Sequence, residues 1–287
     1  MNKKQKIRWI FCVAGMEFRK WISLKNFLIL LFAAIFLGEY VYRDMISVAQ
    51  FTHLQINMLE PFDLVMSFQF YILVIPLVFC VLLSGFPDNS ANNIFAFSRS
   101  NRVMWLCGQI LFGMLTGTLC ILFFVVTSLL WVGRNGVVSN HWSSFMTDMY
   151  AGFPEIYAKN DRLFLESGTM SHGTPISVAM ICIGLMLCYF MVLLQILCFF
   201  HLIGHKKMGM FVAMSVTVIG AISVSFFEKI SWLFPMTHAI FGVHFDKFYA
   251  QPKCKIGWSL LYFLVLNILL FAENVFQVKK CRIGDNG

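Results

Sequence analysis

The sequence predicts an all-α integral membrane protein: six transmembrane helices, an N-terminal interfacial amphipathic helix, and an outer re-entrant hairpin between the fifth and sixth spans. Three observations carry this. First, the 287 residues are 59% hydrophobic and only 13% charged, with 32 phenylalanines and a mean hydropathy of +0.75. Soluble domains run nearer ~25% charged, enough to cover a water-facing surface. That excludes an ordinary soluble enzyme, a nucleic-acid binder and a disordered chain. Second, the apolar residues fall in long charge-poor runs, not in the alternating pattern of a membrane barrel. Third, the basic residues segregate with the loops that those runs define.

The elements follow in chain order within a single transmembrane domain, 1–287. Residues 1–25 hold an amphipathic helix. Ile7, Ile10, Phe11, Ala14, Phe18, Trp21 and Ile22 recur at helical spacing, while Lys4, Arg8 and Arg19 share another side. A basic helix with a Trp-bearing apolar stripe suits the headgroup layer of a membrane. The spans are expected at about 26–42, 62–86, 103–131, 176–203, 208–227 and 257–276, because a ~30 Å hydrocarbon core needs ~20 helical residues. Glu39, Asp63 and Glu273 lie near span ends, where carboxylates reach headgroups and water. The basic stretch before the first apolar run is too long for a signal-peptide n-region, so the start is expected to stay in the mature chain.

Orientation follows from lysine and arginine. With both termini inside, the inner segments 1–25, 87–102, 204–207 and 277–287 hold 14 of the 22 basic residues. The longer outer segments hold the other 8. This is the positive-inside distribution, and anionic membrane lipids explain the net charge of +8 without nucleic acid. The nine cysteines include no C-x-x-C pair, and only Cys254 falls in an outer loop. They are expected to be reduced thiols.

The loops differ in character. The inner loop places Ile94, Phe95 and Phe97 between Asp88, a helix-capping residue, and the rim of Arg99 and Arg102. Apolar side chains rimmed by arginine on a cytosolic loop suit a docking element. The outer segment 132–175 is long enough to be functional. Its Trp142, Asp148, Tyr150 and Glu155 are candidates for an outer-loop ligand, against the reading of an aromatic belt on a solvated loop. The run Ile230–Phe245 is too apolar for a solvated loop, too short to span, and broken by Pro235 and Gly242, which suits a re-entrant hairpin. Small residues recur every fourth position in two spans. Gly113 and Gly117 mark the third, and Ala213, Thr217 and Ala221 mark the fifth. They permit close helix packing within the chain or at a dimer seam.

Familiar catalytic patterns are missing from the sequence. It has no phosphate-binding Gly-x-x-x-x-Gly-Lys-Ser/Thr loop, no His-Glu-x-x-His and no Gly-x-Ser-x-Gly. His201 and His205 stand four apart, a spacing that can hold a metal, but no third ligand is evident.

The order of elements resembles the membrane-spanning (permease) subunits of type 2 ABC exporters. The inner loop adds residue-level support. Members often read Leu-Ser-x-Pro-Val-Ser-Arg, five residues, then Gly-Lys-x-Leu. Here Phe97-Ser98-Arg99-Ser100-Asn101-Arg102 is followed by Val103–Cys107 and Gly108-Gln109-Ile110-Leu111. The Arg-to-Gly spacing agrees; Asn101, Gln109 and the missing proline depart, and Asp88-Asn89-Ser90-Ala91-Asn92 replaces the upstream Glu-x-Gly-Thr. The architectural likeness covers nearly the whole chain, and the motif covers about fifteen residues by its spacing.

The resemblance implies a permease half of an ATP-driven exporter of an amphipathic substrate such as a peptide, lipid-like molecule or drug. It implies two cytoplasmic ATPase subunits as partners, ATP and magnesium bound there and not in this chain, and a second permease chain, identical or related. Asp88, Ile94, Phe95, Phe97, Arg99 and Arg102 would then couple to the ATPase. It also implies a multi-pass protein of a bacterial plasma membrane. The alternative is a stand-alone immunity or sensor protein that binds through its outer loops.

Overall fold

The computed structural model describes residues 3–87, 101–133, 136–246 and 252–280. These residues fold into an all-α bundle with one two-residue parallel ladder. Five helices are long and apolar enough to cross a membrane: Leu24–Phe51, Arg102–Val132, Pro175–Leu202, Lys206–Phe226 and Ile256–Lys280. A sixth crossing exists if the bent pair Glu60–Ser67 and Gln69–Leu82 counts as one.

Helix α1 (Lys3–Trp21) ends before the chain turns at Ile22 and Ser23, earlier than the expected boundary at residue 25. Ser23 caps the next helix, its hydroxyl accepting from Asn26 N at 3.3 Å. The first crossing is longer than the expected 26–42. Helix α2 (Leu24–Leu37) runs through a π turn at Gly38–Tyr42 into α3 (Arg43–Phe51). Charges at Glu39 and Arg43 suggested an end here. Instead they form an exposed i,i+4 ion pair at 2.6 Å, while Met45 and Ala49 continue the buried face.

The span expected at about 62–86 is not one continuous helix. Helix α4 (Glu60–Ser67) meets α5 (Gln69–Ile72) and α6 (Val74–Leu82) at a 90° bend. Phe68 is the hinge, with extended backbone at φ −104° and ψ 122°. The bend is not at Pro76, which sits in the first turn of α6, where a missing N–H costs no helical hydrogen bond.

Helix α7 (Arg102–Val132) starts at the Asn101 cap, whose side chain accepts from Val103 N. Short helices α8 (Ser144–Thr147), α9 (Met149–Gly152), α10 (Pro154–Lys159) and α11 (Ser167–Ser171) then form a cap over one end of the bundle. Helix α12 (Pro175–Leu202) opens with a Thr174–Ser177 capping box and Pro175 at its first position. Gly204, at φ 84°, turns the chain into α13 (Lys206–Phe226), a conformation that favours glycine. Helices α14 (Glu228–Ser231) and α15 (Pro235–Ala239) fold the chain back against the bundle before α16 (Ile256–Lys280).

The helices are joined through small residues and side-chain amide hydrogen bonds. Gly113 of α7 faces Leu194 of α12 with no room for a Cβ, and Gly117 faces Phe190. Ala213, Thr217 and Ala221 of α13 are buried, and Thr217 shares a 2.7 Å hydrogen bond with Tyr189 of α12. These five positions therefore serve packing inside the chain. Between α12 and α16, Gln195 Nε2 donates to Asn267 Oδ1 at 2.6 Å, and Asn274 Nδ2 donates to Gln195 O at 3.0 Å. Side-chain amides between apolar helices hold them without any hydrophobic contribution from lipid.

Candidate functional site

The two ends of the bundle are chemically distinct. At the basic end, α1 lies along the start of α7. Val13 packs where Gly108 has no side chain, and Gln109 Nε2 approaches Glu17 Oε1 at 3.4 Å. The same end gathers the chain on both sides of residues 88–100. Lys206 Nζ, opening α13, donates to Gly85 O at 2.6 Å and Pro87 O at 3.1 Å. Arg102, opening α7, donates to Lys279 O at 2.6 Å, close to the end of α16. The described residues before and after 88–100 are thus tied to α13 at Gly85 and Pro87 and to α16 at Arg102.

At the capped end, strand β1 (Ile56–Asn57) pairs in parallel with β2 (Gly136–Val137). A cavity of about 430 Å³ opens at the α4–α5 bend. Its wall mixes aromatic and polar groups: Phe68, Gln69, Glu166, Thr169, Trp232 and Lys253. Gln69 Nε2 donates to Ser225 Oγ across its rim. Thr169 is buried and its hydroxyl lacks a partner. The segment after α14 closes the floor. Phe241 N donates to Met66 O at 3.2 Å, and Gly242 packs on the Ser67 carbonyl.

Behind the cavity wall lies a polar cluster with no counterpart in the sequence expectations. His238 and His244 are buried beside Ser259, in the first turns of α16. His238 Nδ1 and His244 Nε2 are each 2.8 Å from Ser259 Oγ. Trp232 sets its ring edgewise to both imidazoles, with centroids 5.2 and 5.4 Å away. Burial disfavours the imidazolium form, pushing His238 below the usual histidine value and His244 down to about 4.

The expected site residues divide as follows. Asp88, Ile94, Phe95, Phe97 and Arg99 lie outside the described residues. Arg102 is placed, at the anchored start of α7. The outer candidates do not converge. Trp142 is structural: its indole N–H lies 3.0 Å from Met170 O and 2.8 Å from Gly173 O. Asp148 is exposed and accepts from Thr147 Oγ1; Tyr150 is exposed and meets Tyr157 edge to face; Glu155 is exposed on α10. His201 and His205 do not share a helix, because α12 ends at Leu202, so their i,i+4 spacing loses its geometric meaning. Among the described residues no three His, Cys, Asp or Glu side chains group as a metal site.

Glu60 was also missed as a site residue. It is fully buried and accepts from Asn57 N at 2.9 Å, and from Ser143 N and Ser143 Oγ at 2.6 Å each. It ties the cap to α4. No protein family, characterised protein or solved structure matches this chain.

Proposed function

We propose that the chain is the membrane-spanning half of an ATP-driven exporter and that segment 88–102 receives the motion of a separate cytoplasmic ATPase. The observation that supports this reading is that the described residues flanking 88–100 are each tied to a long helix. Lys206 joins the leading flank to α13, and Arg102 joins the trailing flank to α16. A push on such a loop reaches two long helices directly, so it can bias a bundle with two packings. At the far side α13 ends in the cavity wall, at Val224, Ser225 and Phe226, and α16 begins beside the segment that flanks it. The cavity's aromatic and charged wall suits an amphipathic cargo. Asp88, Ile94, Phe95, Phe97 and Arg99 supply the apolar surface and polar rim that the ATPase would grip. The partner set is two ATPase subunits and a second permease chain, with ATP and magnesium in the ATPase. The membrane is a bacterial plasma membrane with both termini on the ATPase side, and 228–245 is a re-entrant element of the opposite face.

The test is a detergent pull-down of the tagged chain co-expressed with the ATPase encoded beside it, assaying the eluate for vanadate-sensitive ATP hydrolysis. The unmodified chain should bring down that activity, and Phe95→Ala/Phe97→Ala should lose it. An undiminished ATPase in the double mutant eluate would end the docking claim. A chain that elutes alone would favour the stand-alone binding reading. Lys206→Met should leave the ATPase bound while uncoupling its hydrolysis from export, because only the anchor is removed.

A further inference from the structure

We infer that His238, Ser259 and His244 form a binding site for a single proton, behind the wall of the cavity. The inference follows from counting hydrogens. Carbonyl oxygens only accept. His238 Nε2 lies 2.9 Å from Trp232 O, and His244 Nδ1 lies 2.9 Å from Ile240 O and 3.2 Å from Phe241 O. Both of these ring nitrogens must therefore carry a hydrogen. In a neutral ring the other nitrogen is then a bare acceptor. The two bare acceptors, His238 Nδ1 and His244 Nε2, face the same oxygen at 2.8 Å.

Ser259 has one hydroxyl hydrogen. It can satisfy one ring, which leaves the second nitrogen lone pair against an oxygen lone pair at hydrogen-bond distance. One added proton removes the conflict. The protonated ring donates to Ser259 Oγ, and the Ser259 hydroxyl donates to the neutral ring. A second proton would place two like charges across one oxygen and leave the hydroxyl hydrogen without either ring to accept it. The site is therefore complete with one proton and strained with none or two. Burial opposes this uptake, but a hydrogen bond to a charged donor favours it.

The surroundings leave the charge to this cluster. Cys254 Sγ is 4.0 Å from Ser259 Oγ, and Tyr262 stacks on His238 at 4.1 Å with its hydroxyl directed to Leu233 O. Lys253 approaches through its backbone, donating to His244 O, and His172 lies across the Phe245 ring. Tyr189 of α12 bonds Thr217 of α13. Helix α4, which packs on 242–244, brings Glu60 and Asp63, and neither is hydrogen-bonded to an imidazole. The cluster joins the segment 235–245 to the start of α16, so the proton sits at a seam between two elements. The inference stands on this cluster and does not depend on the transport reading.

Trp232 is the reporter, because an imidazolium beside an indole quenches its fluorescence. The full chain in nanodiscs is titrated from pH 4 to pH 9, and the signal of Trp232→Phe is subtracted. The expected result is one quenching step of single-proton slope, with a midpoint within about one unit of the ordinary histidine value of about 6.5. Ser259→Ala removes the acceptor of the charged ring and should lower that midpoint by about one to two units. His238→Gln or His244→Gln alone should remove the step, since the remaining neutral ring takes the serine hydrogen. A wild-type midpoint near or below about 4 overturns the inference. So does a midpoint that Ser259→Ala leaves unchanged or raises. Nitrogen-15 histidine spectra of the unmutated chain at pH 5 give a readout that needs no variant. They should show one doubly protonated imidazole shared by the pair, and two neutral rings at that pH overturn the proposal equally.

Discussion

Gly242→Ala is expected to destabilise the capped end by about 1–3 kcal/mol, the range for forcing extra atoms into a packed contact. A Cβ at this position would lie 2.5 Å from Ser67 O and 3.3 Å from Ser67 C. The obstacle is backbone, so no side-chain rotation relieves it. The Ser67 carbonyl sits one residue before the Phe68 hinge, and the neighbouring Phe241 N–H bonds Met66 O. Displacing Gly242 therefore pulls the segment 235–245 off the bend and opens the cavity floor. Scanning fluorimetry should show a fall of roughly 2–4 °C per kcal/mol lost. Cys254, now half-buried, should react faster with a maleimide. Gly184→Ala is the control of opposite sign. That position lies inside α12 with nothing within 4 Å of an added Cβ, and helix propensity favours alanine over glycine by up to about 1 kcal/mol. If both variants unfold alike, the contact with Ser67 is not what holds the segment in place.

The long helices were legible because their signal is local. The charge-poor run 103–131 becomes α7 at Arg102–Val132, bounded by the Asn101 cap and by Gly133. The continuation of the first crossing to Phe51 was not legible by hydropathy, because the Glu39–Arg43 pair looks like an end until the two charges are seen to satisfy each other. The bend at Phe68 was hidden for a different reason. Phe68 is no helix breaker, and the contact that holds the bend comes from Gly242, far along the chain. The histidine cluster was half legible. The apolar run 230–245 announced burial, and buried histidines need partners. The partner is Ser259, in another helix, and no spacing rule links them. Glu60 gave no local signal, because its partner Ser143 lies 83 residues on.

Glu60 and Asp63 stand three residues apart on α4, both fully buried, and their removal should have opposite effects. Glu60→Ala strips the carboxylate acceptor from the Asn57 and Ser143 amides and from the Ser143 hydroxyl. The buried Asn57 donor left unsatisfied costs about 1–3 kcal/mol and the half-buried Ser143 amide less, so a loss of about 2–4 kcal/mol is expected. The Asn57 side chain is already committed, donating to Ser139 O at 2.6 Å and His141 O at 3.1 Å while accepting from Leu59 N. Glu60→Gln should fall between, because its amide oxygen can serve one side while its NH₂ faces a donor on the other. Asp63 differs in that neither carboxyl oxygen has a hydrogen-bond partner. Asp63→Leu therefore removes an uncompensated polar group and should be neutral or stabilising, as replacement of unpaired buried polar groups generally is. Limited trypsinolysis reads the difference, since Lys159 and Arg162 are exposed in the cap that Glu60 fastens. Cleavage there should accelerate sharply in Glu60→Ala and stay at the wild-type rate in Asp63→Leu. On the proposed exporter reading, an Asp63→Leu variant that folds but fails to support transport would make that carboxyl a working group, the expected role of an intramembrane acid.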